Sequence, residues 1–310
     1  MPLLVDCFYS RPEFAGAYLL QEDQEGLFIE NNTVHALGFL LEALSKRGLT
    51  PHQVKFLIVT HIHLDHAGGS SALMKACPNA VLLAHPKAAP HLVDPTKLVK
   101  SAKQVYGEKA FQELYGTIEP IDASRVRVMQ DGEQLLWGSR KLTFIHTRGH
   151  ANHHFCVFDS ASEGVFTGDS FGLAYPALQK RGLFIFPSTS PTDFDPGLAR
   201  QSIQKIRNLN PKHVYLTHYG AVEKVHEAAQ QLLMHLDRVE ALLEQAVGSS
   251  LKDEQLDAYC EKELQFYFSK ELDLRGLGSD PFVWQLIQND LKLNASGIAH
   301  VARKRRKGAS

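Results

Sequence analysis

The amino-acid sequence predicts an α+β fold in which two β-sheets stack face to face, with helices outside them and a helical region at the C-terminus. Short apolar segments rich in β-branched residues recur through about the first 220 residues, as expected of buried strands. Amphipathic helical segments separate some of them, but without the regular strand–helix alternation of a doubly wound sheet. After about Tyr219 only helical periodicity continues.

Nine short segments carry the strand pattern. Lys55–Thr60 is the clearest, because it is continuous, apolar and rich in branched side chains. The predicted strands are Ala17–Gln21, Gly26–Ile29, Lys55–Thr60, Ala80–Ala84, Val126–Met129, Lys141–Thr147, His154–Asp159, Gly164–Thr167 and His213–Thr217. The predicted helices among them are Val34–Arg47, Ser70–Ala76, Lys97–Leu114 and Leu198–Leu209.

The sequence divides at residue 221, so that residues 1–221 form one domain and residues 222–310 form a C-terminal helical domain. Val222–Val247 carries a long apolar stripe, and Leu251–Leu272 and Asp280–Leu293 are also predicted helices. Because such stripes bury equally well against a second copy of the chain, a homodimer through these helices is a further prediction. The basic run Arg303–Lys307 is expected to be a frayed, solvated tail.

Composition limits the partners and the compartment. Lys and Arg total 33 against 34 Asp and Glu, so the basic surplus typical of a nucleic-acid-binding protein is absent and a nucleic-acid partner is not expected. The four widely spaced cysteines form no C-x-x-C pair, which argues against a disulfide framework or a thiolate zinc site. With neither a signal peptide nor an apolar stretch of ~18 residues, we expect a cytoplasmic protein without a membrane partner.

The most specific pattern places three histidines and one aspartate within six residues, at His61, His63, Asp65 and His66. The run begins where the predicted strand Lys55–Thr60 ends. In extended backbone His61 and His63 lie on the same side, so both imidazoles can reach one metal ion. Imidazole and carboxylate ligands suit zinc, iron or manganese, whereas calcium or magnesium would call for mostly oxygen ligands.

Three further candidates stand at the ends of later predicted strands, at His150, Asp169 and His218. Each is weak evidence alone, because a single histidine at a strand end is usually a hydrogen-bonded structural residue. Together they add two imidazoles and a carboxylate, which would complete two coordination sets and leave room for water. We therefore expect two divalent metal ions, zinc first, with iron or manganese as alternatives.

The order H-x-H-x-D-H, G-H, G-D and T-H resembles the metallo-β-lactamase-fold hydrolase superfamily over about residues 15–220. The resemblance implies a four-layer αββα sandwich and makes residues 1–221 the catalytic domain. It implies that the first metal is held by His61, His63 and His150, and the second by Asp65, His66 and His218. Asp169 would bridge the two metals, and Asp65 and Asp169 would be the catalytic carboxylates.

Two positions depart from the pattern of the superfamily. Arg148 stands before the Gly-His block, where many relatives have proline. Ile29-Glu30-Asn31-Asn32 replaces the Asp-x-Gly that often ends the early strand beneath the site. The sequence therefore leaves open which hydrogen bonds orient the metal ligands, a task that usually falls to residues behind them.

Candidates for the substrate pocket are less specific. His153 and His154 are adjacent at a strand start, so at most one of them is expected to face the site, and His154 is the candidate. Tyr219 follows a ligand candidate. Two aromatic segments after Asp169 could form an apolar pocket wall, with Tyr175, Phe184 and Phe186 as its candidates, although burial in the core explains them equally well.

We expect a small-molecule substrate attacked by a hydroxide that two metals generate from bound water. The resemblance favours the glyoxalase II-like branch, and with it a thioester or ester, because that branch also joins a helical domain to the catalytic domain. No segment after residue 221 matches the basic residues that this branch uses on glutathione. A lactonase is the alternative, followed by a phosphodiesterase or RNA-processing nuclease, and then by a di-iron redox or signalling protein.

Overall fold

The structure, a computed structural model, describes residues 1–308, and the chain divides into two compact units. The first unit comprises Met1–His146, His153–Gly168 and Pro211–Glu223, and the second comprises Thr147–Asn152, Asp169–Asn210 and the described chain from Lys224 onward. The predicted division into a catalytic and a helical domain at residue 221 stays a prediction.

Two six-stranded mixed sheets belong to the first unit. The first sheet has the order β1 Leu3–Asp6, β2 Gly16–Glu22, β3 Glu25–Ile29, β4 Val54–Ile58, β5 Val81–Ala84 and β6 Val126–Val128. The second has the order β12 Gly220–Val222, β11 His213–Leu216, β10 Gly164–Gly168, β9 Phe155–Asp159, β8 Arg140–His146 and β7 Gln134–Trp137. Parallel pairs join β3 to β4, β4 to β5, β5 to β6 and β10 to β11.

The two sheets share one apolar core, which confirms the predicted stacking. Strand residues alternate between faces, so Leu142 and Phe144 of β8 point to the same side as Phe155 and Val157 of β9. Side chains of the first sheet, including Leu27, meet them in the same buried cluster. Removing this much apolar surface from water is the main driving force that holds the two sheets together.

The first unit contains six helices among the described residues: α1 Leu37–Lys46, α2 Leu64–Ala67, α3 Ser70–Ala76, α4 Ala89–Val93, α5 Thr96–Tyr106 and α6 Glu108–Tyr115. Buried side chains of α1, α3 and α4 cover the outer face of the first sheet. The predicted single helix Lys97–Leu114 is wrong, because Gly107 adopts a φ of 79° and separates α5 from α6. A glycine tolerates this left-handed backbone without steric cost.

The sequence did not predict three of the strands. β1, β7 and β12 contain only three or four residues each. In β7, exposed and buried residues alternate over just two repeats, and a pattern this short cannot be told from a loop. These strands form through pairing with longer neighbours rather than from a strong local preference.

The second unit contains the helices α7 Pro196–Asn208, α8 Val225–Gly248, α9 Leu256–Leu274 and α10 Pro281–Gly308. The other three helices all contact α8. Its predicted apolar stripe is buried, including Leu232, Leu236 and Leu243. Among the described helices, none is both long enough and apolar enough to cross a membrane.

The expected frayed tail is wrong, because Arg303–Lys307 lies within α10. The Arg306 guanidinium donates hydrogen bonds to the carbonyl oxygens of Ala246 (2.6 Å) and Ser249 (2.8 Å), at the end of α8. The last carbonyls of a helix lack partners within the helix and carry partial negative charge. Arg306 therefore supplies a cationic cap for α8, and Arg303 forms an ion pair with Asp257.

His235 of α8 is buried among aromatic rings of the second unit. Its Nδ1 lies 2.8 Å from the Tyr267 hydroxyl, and its ring stacks nearly parallel to that of Phe268. Burial, together with the charge of Arg275, lowers the pKa of His235 from 6.5 to about 4. The imidazole is therefore neutral in the folded chain at pH values where it would already be protonated in the unfolded chain.

We predict that His235 makes the stability of the chain pH-dependent. Because the pKa of His235 is lower in the folded state, the side chain's contribution to stability is fully present above pH 6.5 and is lost as the pH falls toward 4. Urea unfolding measures the free energy of unfolding at each pH. Between pH 7 and pH 5, this free energy should fall by about 2 kcal/mol more in the natural chain than in His235→Phe. His226→Phe, at an exposed position of the same helix, is the control. Equal losses in both variants would contradict the prediction.

Candidate metal centre

The histidine-rich run begins three residues after the end of β4, because the strand ends at Ile58 and not at Thr60 as predicted. The backbone is still extended at His63, with φ −60° and ψ 145°, and α2 begins at the next residue. Asp65 and His66 therefore lie in the first turn of that helix. The ring of His61 lies 4.5 Å from that of His63 and 4.1 Å from that of His66, measured between centroids. The run thus gathers three imidazoles at one end of β4.

Asp65, His66 and His218 form a group with the geometry of a metal site. Their candidate ligand atoms all lie within 4.8 Å of one another. His218 Nε2 is 3.3 Å from Asp65 Oδ2, and His66 Nε2 is 3.8 Å from the same oxygen. Both histidines are buried, whereas Asp65 is 27% exposed. Two imidazoles and a carboxylate at this spacing suit a divalent transition metal.

Hydrogen bonds fix the orientation of two imidazoles of the first unit. His218 Nδ1 donates to the carbonyl oxygen of Phe14 over 2.7 Å, which leaves Nε2 to face Asp65. Thr60 Oγ1 lies 3.0 Å from His61 Nδ1. An acceptor at one ring nitrogen sets the tautomer and directs the other nitrogen toward a metal.

Glu30 supplies the support that the sequence left open. Its side chain is 1% exposed, and its Oε1 accepts a hydrogen bond of 3.0 Å from the Thr60 amide. Its Oε2 lies 3.4 Å from His66 Nδ1. The glutamate that replaces the usual Asp-x-Gly acid therefore reaches both the ligand-bearing backbone and a ligand imidazole. An acidic residue directly after a buried strand was the signal in the sequence.

The residues after Glu30 hold the backbone of α2. The Asn31 and Asn32 amides both donate to the carbonyl oxygen of His66, and Asn32 Nδ2 donates to that of Asp65 over 2.8 Å. Gly69 packs against the same loop, where a Cβ atom would lie only 2.7 Å from the Thr33 carbonyl oxygen. These contacts fix the position from which Asp65 and His66 project.

His150 and Asp169 belong to the second unit and lie close together there. His150 Nε2 is 3.6 Å from Asp169 Oδ2, and His150 Nδ1 is 3.3 Å from the carbonyl oxygen of Ser188. Both side chains are buried and line a narrow cleft of the second unit. Gly149 is required before His150, because its φ is 120° and a side chain would collide with the backbone of Ala199.

Within residues 1–308, Arg148 pairs with an amide oxygen rather than with a carboxylate. Its Nη2 donates a hydrogen bond of 2.9 Å to Asn152 Oδ1. The side chain is exposed and borders the cleft beside His150 and Asp169. The arginine thus places a positive charge at the rim of this cleft.

The candidates for the substrate pocket occupy different environments. Tyr175, Phe184 and Phe186 are fully buried in the second unit, where the ring of Phe186 lies 5.3 Å from that of Phe268. His154 is buried, with its ring 4.8 Å from that of His61, and Tyr219 is partly buried. Burial raises the pKa of Tyr219 to about 12. A role of these five residues in binding substrate stays a prediction.

Comparison with known proteins places the chain in a family. Residues 4–218 match the family model described as the metallo-beta-lactamase superfamily, and the chain belongs to that superfamily. The resemblance inferred from the four motifs is therefore confirmed, and so is the predicted fold class with its C-terminal helical region.

Several relatives share part of this sequence. A metallo-beta-lactamase fold-containing protein of Sulfurisphaera tokodaii is 26% identical over 68% of this chain and 75% of its own length. An acyl-coenzyme A thioesterase of Gallus gallus is 26% identical over 36% of this chain and 40% of its own length. A hydroxyacylglutathione hydrolase of Aeromonas hydrophila is 25% identical over 38% of this chain and 34% of its own length.

A solved structure matches almost the whole chain. The metallo-beta-lactamase family protein of Thermus thermophilus aligns with 99% of this chain and 94% of its own, with a TM-score of 0.67 and 21% identity. A likeness at this identity shows that the fold is shared, including its C-terminal part.

We predict that Glu30→Gln weakens metal binding without unfolding the chain. An amide has one oxygen and no charge, so the substitution removes either the oxygen that accepts from the Thr60 amide or the carboxylate oxygen that lies beside His66 Nδ1. Loss of such a partner behind a ligand typically costs about 10–100-fold in metal affinity. Competition with a chelator, followed by elemental analysis, measures the effect. Glu42→Gln, at an exposed glutamate of α1, is the control, and equal affinities in the two variants would contradict the prediction.

Proposed function

We propose that this chain is a metallo-hydrolase that cleaves a thioester or ester with two divalent metal ions, most simply zinc. The observation that carries the proposal is the group of Asp65, His66 and His218, whose ligand atoms lie within 4.8 Å of one another. Iron or manganese would suit the same ligands. The proposed ligand set, which follows the motif order of the superfamily, is His61, His63 and His150 for one metal, Asp65, His66 and His218 for the other, and Asp169 for both.

When bound, the metals would lower the pKa of a water molecule from ~16 toward ~7 and polarise the carbonyl group of the substrate. The residues of the chain provide a rigid frame for this chemistry. His218 and His66 are held from behind by the Phe14 carbonyl and by Glu30, so little reorganisation is needed during the reaction. Asp65 is the most exposed member of its group, which favours approach of the substrate from that side.

The names of two relatives favour a thioester over the other candidate substrate classes. One is named as an acyl-coenzyme A thioesterase and the other as a hydroxyacylglutathione hydrolase. Their aligned parts cover less than half of either protein, so their names support a class of reaction and not a particular substrate. A lactone is the alternative, since lactones are cyclic esters.

A phosphodiester substrate is disfavoured by charge. The chain has a net charge of −1, whereas binding a polyanion requires a basic surface. Two arginines of the one basic run, Arg303 and Arg306, are engaged in contacts within the second unit. A di-iron oxygen-reducing protein of this superfamily usually has a carboxylate at the position of His63, so a redox function is also disfavoured.

We predict that His61→Ala and Asp169→Ala each lose bound metal and activity together while remaining folded. Removing a ligand should lower kcat/KM by more than about 100-fold, since even residues behind a ligand contribute up to that factor. Elemental analysis, circular dichroism and turnover of an acyl thioester are the measurements. His52→Ala, at an exposed histidine, is the control. Full metal content in both variants would refute the proposed ligand set.

A substrate panel separates the remaining functions. It contains p-nitrophenyl esters, acyl thioesters, lactones and bis-p-nitrophenyl phosphate, each assayed with zinc, iron and manganese. We expect thioester or ester turnover to exceed that of the phosphodiester by at least about 100-fold, a difference of about 3 kcal/mol in activation free energy. Faster phosphodiester turnover would favour the nuclease alternative, and oxygen consumption with iron would favour the redox alternative.

A homodimer through the C-terminal helices remains a separate proposal. Several large apolar side chains of α9 and α10 are exposed, among them Phe266, Phe282 and Leu293. Exposed apolar surface of this kind is common at interfaces between protein chains. Sedimentation of the full chain over a range of concentrations would test the association.

A further inference from the structure

Four aromatic residues of the first unit form a chain of neighbouring rings, here called the aromatic strip: Tyr9, Phe14, Tyr106 and Tyr115. The ring centroid of Tyr9 lies 6.2 Å from that of Phe14 and 6.5 Å from that of Tyr115. Tyr106 meets Tyr115 edge-on at 5.5 Å. The strip is built from the loop between β1 and β2 and from the helices α5 and α6.

One end of the strip touches the candidate metal ligands. The Phe14 ring lies edge-on to the His218 ring at 5.8 Å, and the Phe14 carbonyl accepts the hydrogen bond that orients His218. Tyr115 packs in the same cluster as Leu64, the residue before Asp65. The strip therefore begins at His218, a member of the group formed by Asp65, His66 and His218, and beside Leu64, which precedes Asp65.

The other end of the strip is open to solvent. Tyr115 is only 2% exposed and Tyr106 is 43% exposed, while Tyr9 and Phe14 are intermediate. The hydroxyl groups of Tyr9 and Tyr115 form a hydrogen bond of 3.1 Å. This bond gives both polar groups a partner, so the exposed part of the strip is mainly ring surface. Burial raises the pKa of Tyr9 above its usual value, so the strip is uncharged at neutral pH.

We propose that the aromatic strip binds the acyl group of the substrate and selects apolar acyl groups over short ones. The proposal rests on the proposed function, because the strip extends from the residues assigned to the metal ions. Small-molecule sites are lined mainly by aromatic and apolar side chains that enclose the apolar part of the ligand. Arg11 lies over the Phe14 ring at 5.5 Å from its centroid, and Tyr115 is buried, so the acyl group contacts chiefly Tyr9 and Tyr106.

The first test compares acetyl, hexanoyl and phenylacetyl thioesters with a common thiol. The natural chain should show kcat/KM at least about tenfold higher for the two larger acyl groups than for acetyl, because each buried methylene favours binding. Tyr106→Ala should reduce this ratio about fivefold or more, mainly through KM. Tyr106→Phe should retain the ratio, since it keeps the ring. Leu136→Ala, at an exposed apolar residue of β7, should also leave the ratio unchanged.

The second test measures binding without turnover. Ketones in which a methylene group replaces the thioester sulfur are titrated into the chain by calorimetry. The hexanoyl ketone should bind the natural chain at least about fivefold more tightly than the acetyl ketone, and Tyr106→Ala should abolish that difference. This result would support the strip as a binding surface even if no thioester were hydrolysed, so failure of the proposed function would be recognised separately.

Two outcomes would overturn the proposal. The first is thioester turnover with the same acyl preference in Tyr106→Ala as in the natural chain, which would leave the proposed function intact and remove the role of the strip. The second is a change of oligomeric state in Tyr106→Ala, seen by sedimentation, with unchanged acyl preference. That result would assign the strip to contact between copies of the chain.

Discussion

A buried group of imidazoles is stable only if the ring nitrogens that do not face the metal have fixed partners, and this constraint organises the first unit. Burying a polar nitrogen without a partner is costly. The Phe14 carbonyl provides the partner for His218, Glu30 lies beside His66, and Thr60 lies beside His61. Because each partner sits behind its imidazole, the contacts that stabilise the fold also determine which ring nitrogen is left to face a metal.

The first sheet positions these partners. Glu30 follows β3 and Thr60 follows β4, and the two strands are parallel neighbours, so their carboxyl ends meet at one edge of the sheet. Phe14 precedes β2, which pairs with β3 on its other side. Strand pairing therefore fixes the backbone of these three residues, and the close-packed core shared by the two sheets resists its displacement. The contacts of Asn31 and Asn32 with α2 then help to hold Asp65 and His66 in place.

The sequence predicted most features that depend on neighbouring residues and missed several contacts between residues that are distant along the chain. The run from His61 to His66 was recognisable because strand and turn geometry alone brings its side chains together. Glu30 was visible only as a departure from the superfamily pattern, because its partner His66 is far along the chain. Arg306 was misjudged for the same reason: a run of basic residues resembles a solvated tail until the carbonyls at the end of α8 are placed beside it. Gly107 was missed because a helical period continued across it.

The separation between the elements that hold the ligands and the elements that form the aromatic strip has a consequence for specificity. The ligand candidates of the first unit project from strand ends and from α2, whereas Tyr9 lies in a loop, and Tyr106 and Tyr115 lie on α5 and α6. Loops and short surface helices tolerate substitution better than paired strands. Acyl preference can therefore change through the strip without disturbing the metal ligands. Phe14 is the exception, because its ring belongs to the strip while its carbonyl orients His218. Its backbone role does not depend on the side chain, so even this position can vary in size without loss of that hydrogen bond.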